Sequence, residues 1–279
     1  MIEEGFKPNT VLCTSLIKHF FWNRDPEFAF RLVDLMTRSG VELDLVTYIT
    51  LVSGVSRNIS SLDRKWLLPQ GQYEESKERL FSLLQSAMLP EKKLTSVISQ
   101  EEVKSRALRL INEVNNSPLM HNLYLYNGII SCFCRTKMMK DAYNRFKLMQ
   151  NEGLQPNQVT FTILIDGHFR SGEVDCAVTL FNIMIERNCP PDNIVYNTLI
   201  RGLCKHGRLI DALSLSYTLM LKKGLAPSKA SYENLLSSLC ANNWSGDAVK
   251  ICQDMLANEY VPCTRNLELL LCILNEKEK

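Results

Sequence analysis

Between residues 123 and 157 the apolar positions fall into two helical sets separated by a short polar break. Tyr126, Ile129, Ile130, Phe133 and Cys134 stand at i, i+3, i+4, i+7 and i+8, which is one face of an α-helix. Arg135, Thr136 and Lys137 interrupt them. Ala142, Tyr143, Phe146 and Met149 then resume a helical spacing until Gly153 and Pro156 close the segment. The pattern predicts a hairpin of two short helices, a unit too small to bury its own apolar face.

The same pattern returns along the chain. Tyr126, Phe161, Tyr196 and Tyr232 are 35 or 36 residues apart, as are Ala142, Ala177, Ala212 and Ala248, and Pro156, Pro191, Pro227 and Pro262. A period of this length predicts stacked supersecondary repeats that share one continuous core. Small Ala in each second helix lets paired helices approach closely. Gly40 and Gly224 terminate other repeats as Gly153 does, and Asn188 accepts the same left-handed turn, whereas Glu259 departs from the pattern.

The frame divides the chain into repeats at residues 10–44, 45–122, 123–157, 158–192, 193–228 and 229–263. Residues 1–9 match the end of a partial repeat, and 264–279 read as a partial helix and tail, so the beginning has the look of a fragment or a downstream start. The second repeat is 78 residues long. Its first helix, Tyr48 to Val55, and its last, with Ala107, Leu108, Ile111 and Val114, keep the register, and Ser99 with Glu102 offers the latter a capping box. The excess is an insertion of about residues 58–98, in which Leu80, Leu83, Leu84, Ala87 and Met88 predict one amphipathic helix stopped at Leu89 and Pro90. Two readings of it stand: an arm that docks a partner, or a tolerated excursion that packs on its neighbours.

Composition narrows the picture without deciding it. With 46% hydrophobic and 22% charged residues in 279, the chain has enough apolar material for a continuous core. A net charge of +2 gives no bulk attraction to nucleic acid or membrane, so any anion-binding surface must be local. No apolar run is long enough to span a bilayer, and the N-terminal residues carry no visible targeting peptide. Ten cysteines contain no Cys-x-x-Cys pair, and Cys134, Cys204 and Cys240 share one repeat position inside apolar runs, which predicts buried free thiols. His19, His121, His168 and His206 share no helix at ligand spacing, so no metal site or cofactor is expected. Acidic and His residues form no convergent triad, metal motif or phosphate loop, and no catalytic role is predicted.

Residues 194–213 read IVYNTLIRGLCKHGRLIDAL and lead to Gly224, Leu225, Ala226, Pro227 and Ser228. This resembles the pentatricopeptide repeat, most specifically in repeats three to five, well in the first and sixth, and with an interruption in the second. A tetratricopeptide repeat would want Trp-x-x-Leu-Gly in its first helix, which is absent. Plain units of 35 residues look like the P subclass. The resemblance implies an all-α, right-handed superhelical solenoid of helix-turn-helix repeats. It also implies a plant organelle, mitochondrion or alternatively chloroplast, and a partner in single-stranded RNA, one base per repeat.

In this family the fifth and last residues of a repeat dominate base choice. Here the pairs are Thr14 with Asp44, Ile49 with Asn122, Asn127 with Asn157, Thr162 with Asp192, Asn197 with Ser228, and Glu233 with Cys263. The family's code gives G for Thr/Asp, a pyrimidine for Asn/Asn and C for Asn/Ser; the Ile49 and Glu233 pairs fall outside it. The expected target is 5′-G-x-Y-G-C-x-3′. At the second position Val11, Val46, Tyr124, Val159 and Ile194 are expected to clamp bases, with Ala230 a poor clamp. Asn127, Thr162 and Asn197 have another reading, as helix N-terminal caps.

Arg57, Arg135, Arg170 and Lys205 occupy the thirteenth position, where Trp22 and Ala241 stand in the outer repeats. Such a row either tracks phosphates or complements the helix dipole. The implied function is an RNA-binding adaptor in organellar RNA processing, stability, editing or translation, working by occupancy beside processing or translation proteins. The alternative is a protein-binding solenoid without RNA affinity.

Overall fold

The computed structural model describes residues 8–58, 72–88, 100–115, 121–223 and 227–275. The expectations that rest on residues 1–7, Ser99, Gly224, the 276–279 tail, the Leu108 side chain, the Leu89 and Pro90 stop, and the rest of the insertion at 59–71 and 91–98 lie outside the described residues. Among those described, every regular element is an α-helix. The chain divides into two compact units, Met1–Gln155 and Pro156–Lys279.

In the first unit, α1 (Thr10–Trp22) and α2 (Pro26–Arg38) form a hairpin, and α6 (Leu123–Arg135) and α7 (Met139–Asn151) form another. Between them stand α3 (Leu45–Asn58), α4 (Gln72–Met88) and α5 (Gln100–Asn115). The first helices α1, α3 and α6 lie side by side, while α5 packs on α2 and α3 and takes the place of a second helix. The insertion helix α4 packs on α2. It buries Phe81 and Leu84, and Phe81 meets Phe28 with ring centroids 5.6 Å apart. Arg31 of α2 lies over the Phe81 ring at 4.2 Å and pairs with Glu78. The buried stripe of α4 thus centres on Phe81 and Leu84, with Leu80, Leu83, Ala87 and Met88 at its half-buried margins.

The second unit holds α8 (Gln158–Ser171), α9 (Val174–Glu186), α10 (Asn193–Lys205), α11 (Leu209–Lys223), α12 (Lys229–Ala241), α13 (Ser245–Ala257) and α14 (Thr264–Asn275). Here α8, α10, α12 and α14 line up as neighbours, and α9, α11 and α13 fold back on their own partners.

The periodic rows are the core. Tyr126, Phe161, Tyr196 and Tyr232 are buried, and Ala29, Ala142, Ala177, Ala212 and Ala248 are fully so. Each fully buried large apolar side chain contributes roughly 1.5–3 kcal/mol relative to exposure. Neighbouring first helices come close where a glycine faces a phenylalanine ring. A methyl group on Gly202 would lie 2.3 Å from the Phe169 ring, and one on Gly54 would lie 2.3 Å from Phe21.

Two turns per hairpin complete the repeat, and where the residues are described both use left-handed backbone. Between helices the residue is Arg24, Lys137, Gly172, Gly207 or Asn243. After the second helix it is Gly40, Gly153, Asn188 or Glu259, the last at φ 62°. Glu259 therefore departs from the pattern in residue type but not in conformation. Its N–H donates to the Leu256 carbonyl at 2.9 Å and that of Tyr260 to Met255 at 3.0 Å, as Gly153 and Leu154 donate to Gln150 and Met149. Closing the last turn by these bonds outweighs the steric cost of a Cβ at positive φ.

Candidate nucleic-acid interface

The interface residues gather at the N-terminal turn of each first helix. A helix start leaves N–H groups without intrahelical partners, and in this chain the last residue of the preceding repeat satisfies them. Asp44 caps α3, accepting at Oδ1 from the Thr47 N–H at 2.8 Å and the Thr47 hydroxyl at 2.6 Å. Those bonds hold its carboxyl below the usual carboxylate range. Asn122 caps α6 through the N–H groups of Tyr124 and Leu125, and Asp192 caps α10 through those of Ile194 and Val195. Asn157 and Thr160 make a reciprocal capping box on α8, and Ser228 accepts from the Ser231 N–H on α12. Capping thus belongs to the last-position row, and Asn127, Thr162 and Asn197 stand inside their helices, one turn further on.

At the second position the side chains are apolar and face solvent. Val11, Val46 and Tyr124 in the first compact unit are 71%, 60% and 71% exposed, and Val159 and Ile194 in the second are 53% and 65%. Ala230 is exposed as well. Apolar residues recurring at one helical position outside the core need a reason beyond folding.

The fifth-position groups are partly or wholly buried, with polar atoms engaged at the edge of this row. Thr14 is buried and donates to the Thr10 carbonyl at 2.7 Å, with its oxygen also 2.8 Å from the Thr47 hydroxyl. Thr162 donates to the Gln158 carbonyl at 2.7 Å. Asn197 accepts from the Ser228 N–H at 3.2 Å and from the Ser231 hydroxyl at 2.7 Å, so fifth and last residues of this repeat are joined directly. Asn127 is buried in the first compact unit, and its expected partner Asn157 lies in the second. Glu233 accepts from the Cys263 N–H at 2.8 Å and from the Asn266 amide. The third-position groups Thr47, Thr160, Ser231 and Asn266, all buried, were not singled out from the sequence. Their signal was a polar residue where a helix of this pattern has Leu125 or Val195.

The thirteenth-position cations differ in their surroundings. Arg57 stacks over exposed Trp22 at 5.1 Å. Arg170 bonds Asp166 at 2.6 Å, and Asp166 also receives Arg201 of the neighbouring first helix at 3.0 Å. Arg135 is half-buried and Lys205 exposed. One mixed cluster lies elsewhere: His168, Glu173 and Cys176 bring their ligand-type atoms within 4.8 Å of one another across a hairpin turn, a grouping that spacing along a single helix does not test. The buried His168 ring is 2.7 Å from Glu173, which gives its nitrogen a partner.

The sequence profile of the PPR repeat family matches residues 8–57, 121–170, 159–205 and 191–241, and a further PPR repeat profile matches 230–260. The chain belongs to the PPR repeat family. A pentatricopeptide repeat-containing protein of Arabidopsis thaliana is 37% identical over 191 residues, which cover 68% of this chain and 18% of that protein. Another, named as mitochondrial, is 24% identical over 74% of this chain and 40% of its own length. The PPR chain described here therefore spans well under half of these relatives. Among solved structures, PPR10 in complex with an 18-nt psaJ RNA element is similar with a TM-score of 0.55 at 19% identity, covering 96% of this chain and 38% of that one. This likeness shows the PPR solenoid fold. No helix among the described residues is long and apolar enough to cross a membrane.

Proposed function

We propose that this PPR chain is a sequence-selective adaptor for single-stranded RNA, with one base per repeat. The observation that carries the reading is the recurrence of an exposed apolar residue at the second position of the first helices, with a polar fifth residue one turn on that in the fifth repeat meets the last residue directly, Asn197 and Ser228 lying 3.2 Å apart. An apolar platform holds a base face in a sequence-tolerant way, and short polar groups at its rim meet the base edge. Base-reading falls to Thr14, Asp44, Asn127, Asn157, Thr162, Asp192, Asn197 and Ser228, and clamping to Val11, Val46, Tyr124, Val159 and Ile194. The crystallised PPR10 complex with RNA supports the same partner. The reading needs no catalytic group, since occupancy alone shields RNA ends or remodels a hairpin. It places the protein in a plant organelle, with the mitochondrial name of one relative favouring the mitochondrion over the chloroplast.

Binding of 5′-GUCGCA and of a scrambled hexamer, each inside a longer unstructured RNA, tests this by gel shift. The first is expected to bind more tightly; equal affinity overturns the base assignment, and no shift of either at moderate salt favours a protein-binding solenoid. The paired substitution Asn197→Thr with Ser228→Asp is expected to move the preferred fifth base from C to G, and an unchanged base profile counts against this register.

A further inference from the structure

The fifth-position side chains are held from the next repeat. Thr47, at the third position of the second repeat, donates its single hydroxyl proton to Asp44 Oδ1 at 2.6 Å and places its oxygen 2.8 Å from Thr14 Oγ1. With that proton on Asp44, the Thr47 oxygen accepts from the Thr14 hydroxyl, whose one proton is shared with the Thr10 carbonyl at 2.7 Å, and Asp44 is thereby tied to Thr14 through Thr47. In the fifth repeat Ser231 takes the same position and donates to Asn197 Oδ1 at 2.7 Å, while the Ser228 N–H donates to that oxygen at 3.2 Å. In the sixth, Asn266 donates to Glu233, and the Cys263 N–H completes the set at 2.8 Å. Three repeats thus build one arrangement from different residue types: fifth side chain, last residue, and a buried polar third residue from the following first helix.

The fourth repeat lacks it. There the following third residue is Val195, which is buried and has no polar side-chain atom, and the Thr162 hydroxyl has the Gln158 carbonyl of its own helix at 2.7 Å. Thr14 with Asp44 and Thr162 with Asp192 are the same pair by residue type, so they differ in support and not in identity.

Resting on the RNA reading above, we propose that the third residue of the following repeat is a positioning residue for base selection. Thr47 and Ser231 fix the rotamer of Thr14 and Asn197, so the lone pairs and donors that meet a base edge are set before RNA arrives. A preorganised group discriminates more sharply than one that must be ordered on binding. The first repeat consequently selects its base more strictly than the fourth. In the sixth repeat the same grip takes up both carboxylate oxygens of Glu233, which leaves that repeat permissive.

The test measures affinity of the whole chain for the GUCGCA-containing RNA with each of the four bases placed in turn at the first, fourth and fifth positions. Wild type is expected to discriminate about threefold to tenfold more at the first than at the fourth, the worth of one hydrogen bond. Thr47→Val is expected to flatten the first-base preference by a similar factor while leaving the fourth and fifth unchanged. Val195→Thr sharpens the fourth, and Ser231→Ala flattens the fifth. A substitution that lowers affinity equally for all four bases, or leaves the profile unmoved in a protein of unchanged melting temperature, overturns the positioning role. Wild-type protein that shows no base preference anywhere overturns the RNA code itself, a separate outcome. Val195→Thr guards against a Thr47 variant that fails to fold, since it adds a group instead of removing one.

Discussion

Burial separates six cysteines from three exposed ones, with Cys189 between them. The Cys132 thiol is pushed up to about 12 and that of Cys204 to about 11, in each case by desolvation, which disfavours the thiolate. Cys176, Cys263 and Cys272 are exposed. Since the thiolate is the nucleophile, iodoacetamide at about pH 8 is expected to label the exposed three in the native protein and to reach Cys132 and Cys204 only after denaturation. Peptide mass mapping reads this directly, and rapid native labelling of Cys132 would contradict its placement. The shared position of Cys134, Cys204 and Cys240 was legible as core because each lies on an apolar helical face. The third-position polar groups were not legible as a set, since Thr47, Thr160, Ser231 and Asn266 are spread over three residue types and one polar residue near a helix start reads as ordinary.

At the scale of the element, the left-handed turn that follows α2, α7, α9 and α13 is fixed by backbone bonds more than by residue type. Gly153 and Glu259 both sit there at positive φ, with nothing within 4 Å of a methyl placed on Gly153. Glu259 carries a Cβ clash with the backbone that glycine avoids, against a larger entropy loss for glycine on folding. Glu259→Gly is expected to stabilise by about 0.5 kcal/mol and Gly153→Ala to destabilise by about 1 kcal/mol, as seen by denaturant midpoints. A destabilising Glu259→Gly would show that the Glu side chain makes a compensating contact. The helices themselves were legible from period alone, because each hairpin repeats the same apolar face. The capping pattern was harder: Asn and Thr favour helix starts wherever they stand, and only the hydrogen bonds show that Asp44, Asn122, Asn157, Asp192 and Ser228 cap while the fifth residues do not.

At the scale of the molecule, a net charge of +2 conceals a local cationic row. If Lys205 contacts a phosphate, Lys205→Ala weakens RNA binding about equally for all sequences and lowers the slope of log affinity against log salt by about 0.7, the single-strand value per phosphate. Arg170, bonded to Asp166 at 2.6 Å, is expected to change the slope less on replacement by Ala. Titrating binding between low and moderate salt separates the two, and an unchanged slope for Lys205→Ala assigns the row to helix-dipole compensation. The insertion behaves as a packed excursion where it is described, since α4 buries Phe81 and Leu84 against α2. Its apolar spacing alone did not separate docking arm from packed helix, because an amphipathic face is the same whether it awaits a partner or has one, and only the small cost of loop length favoured the packed excursion.

The sequence alone determined the all-α repeat fold and the family, because a 35-residue recurrence of apolar faces, small residues and turn residues admits few other architectures. It also set out which side chains stand at each repeat position. Tertiary structure decided what those side chains do to one another: which residue caps, which faces solvent, and which third-position group grips the fifth residue of the repeat before it. Those relations join atoms some 30 residues apart, as Asn197 and Ser228 are, through the stacking of neighbouring helices. Periodicity records that a position recurs, whereas hydrogen bonding depends on where the next helix brings its first turn.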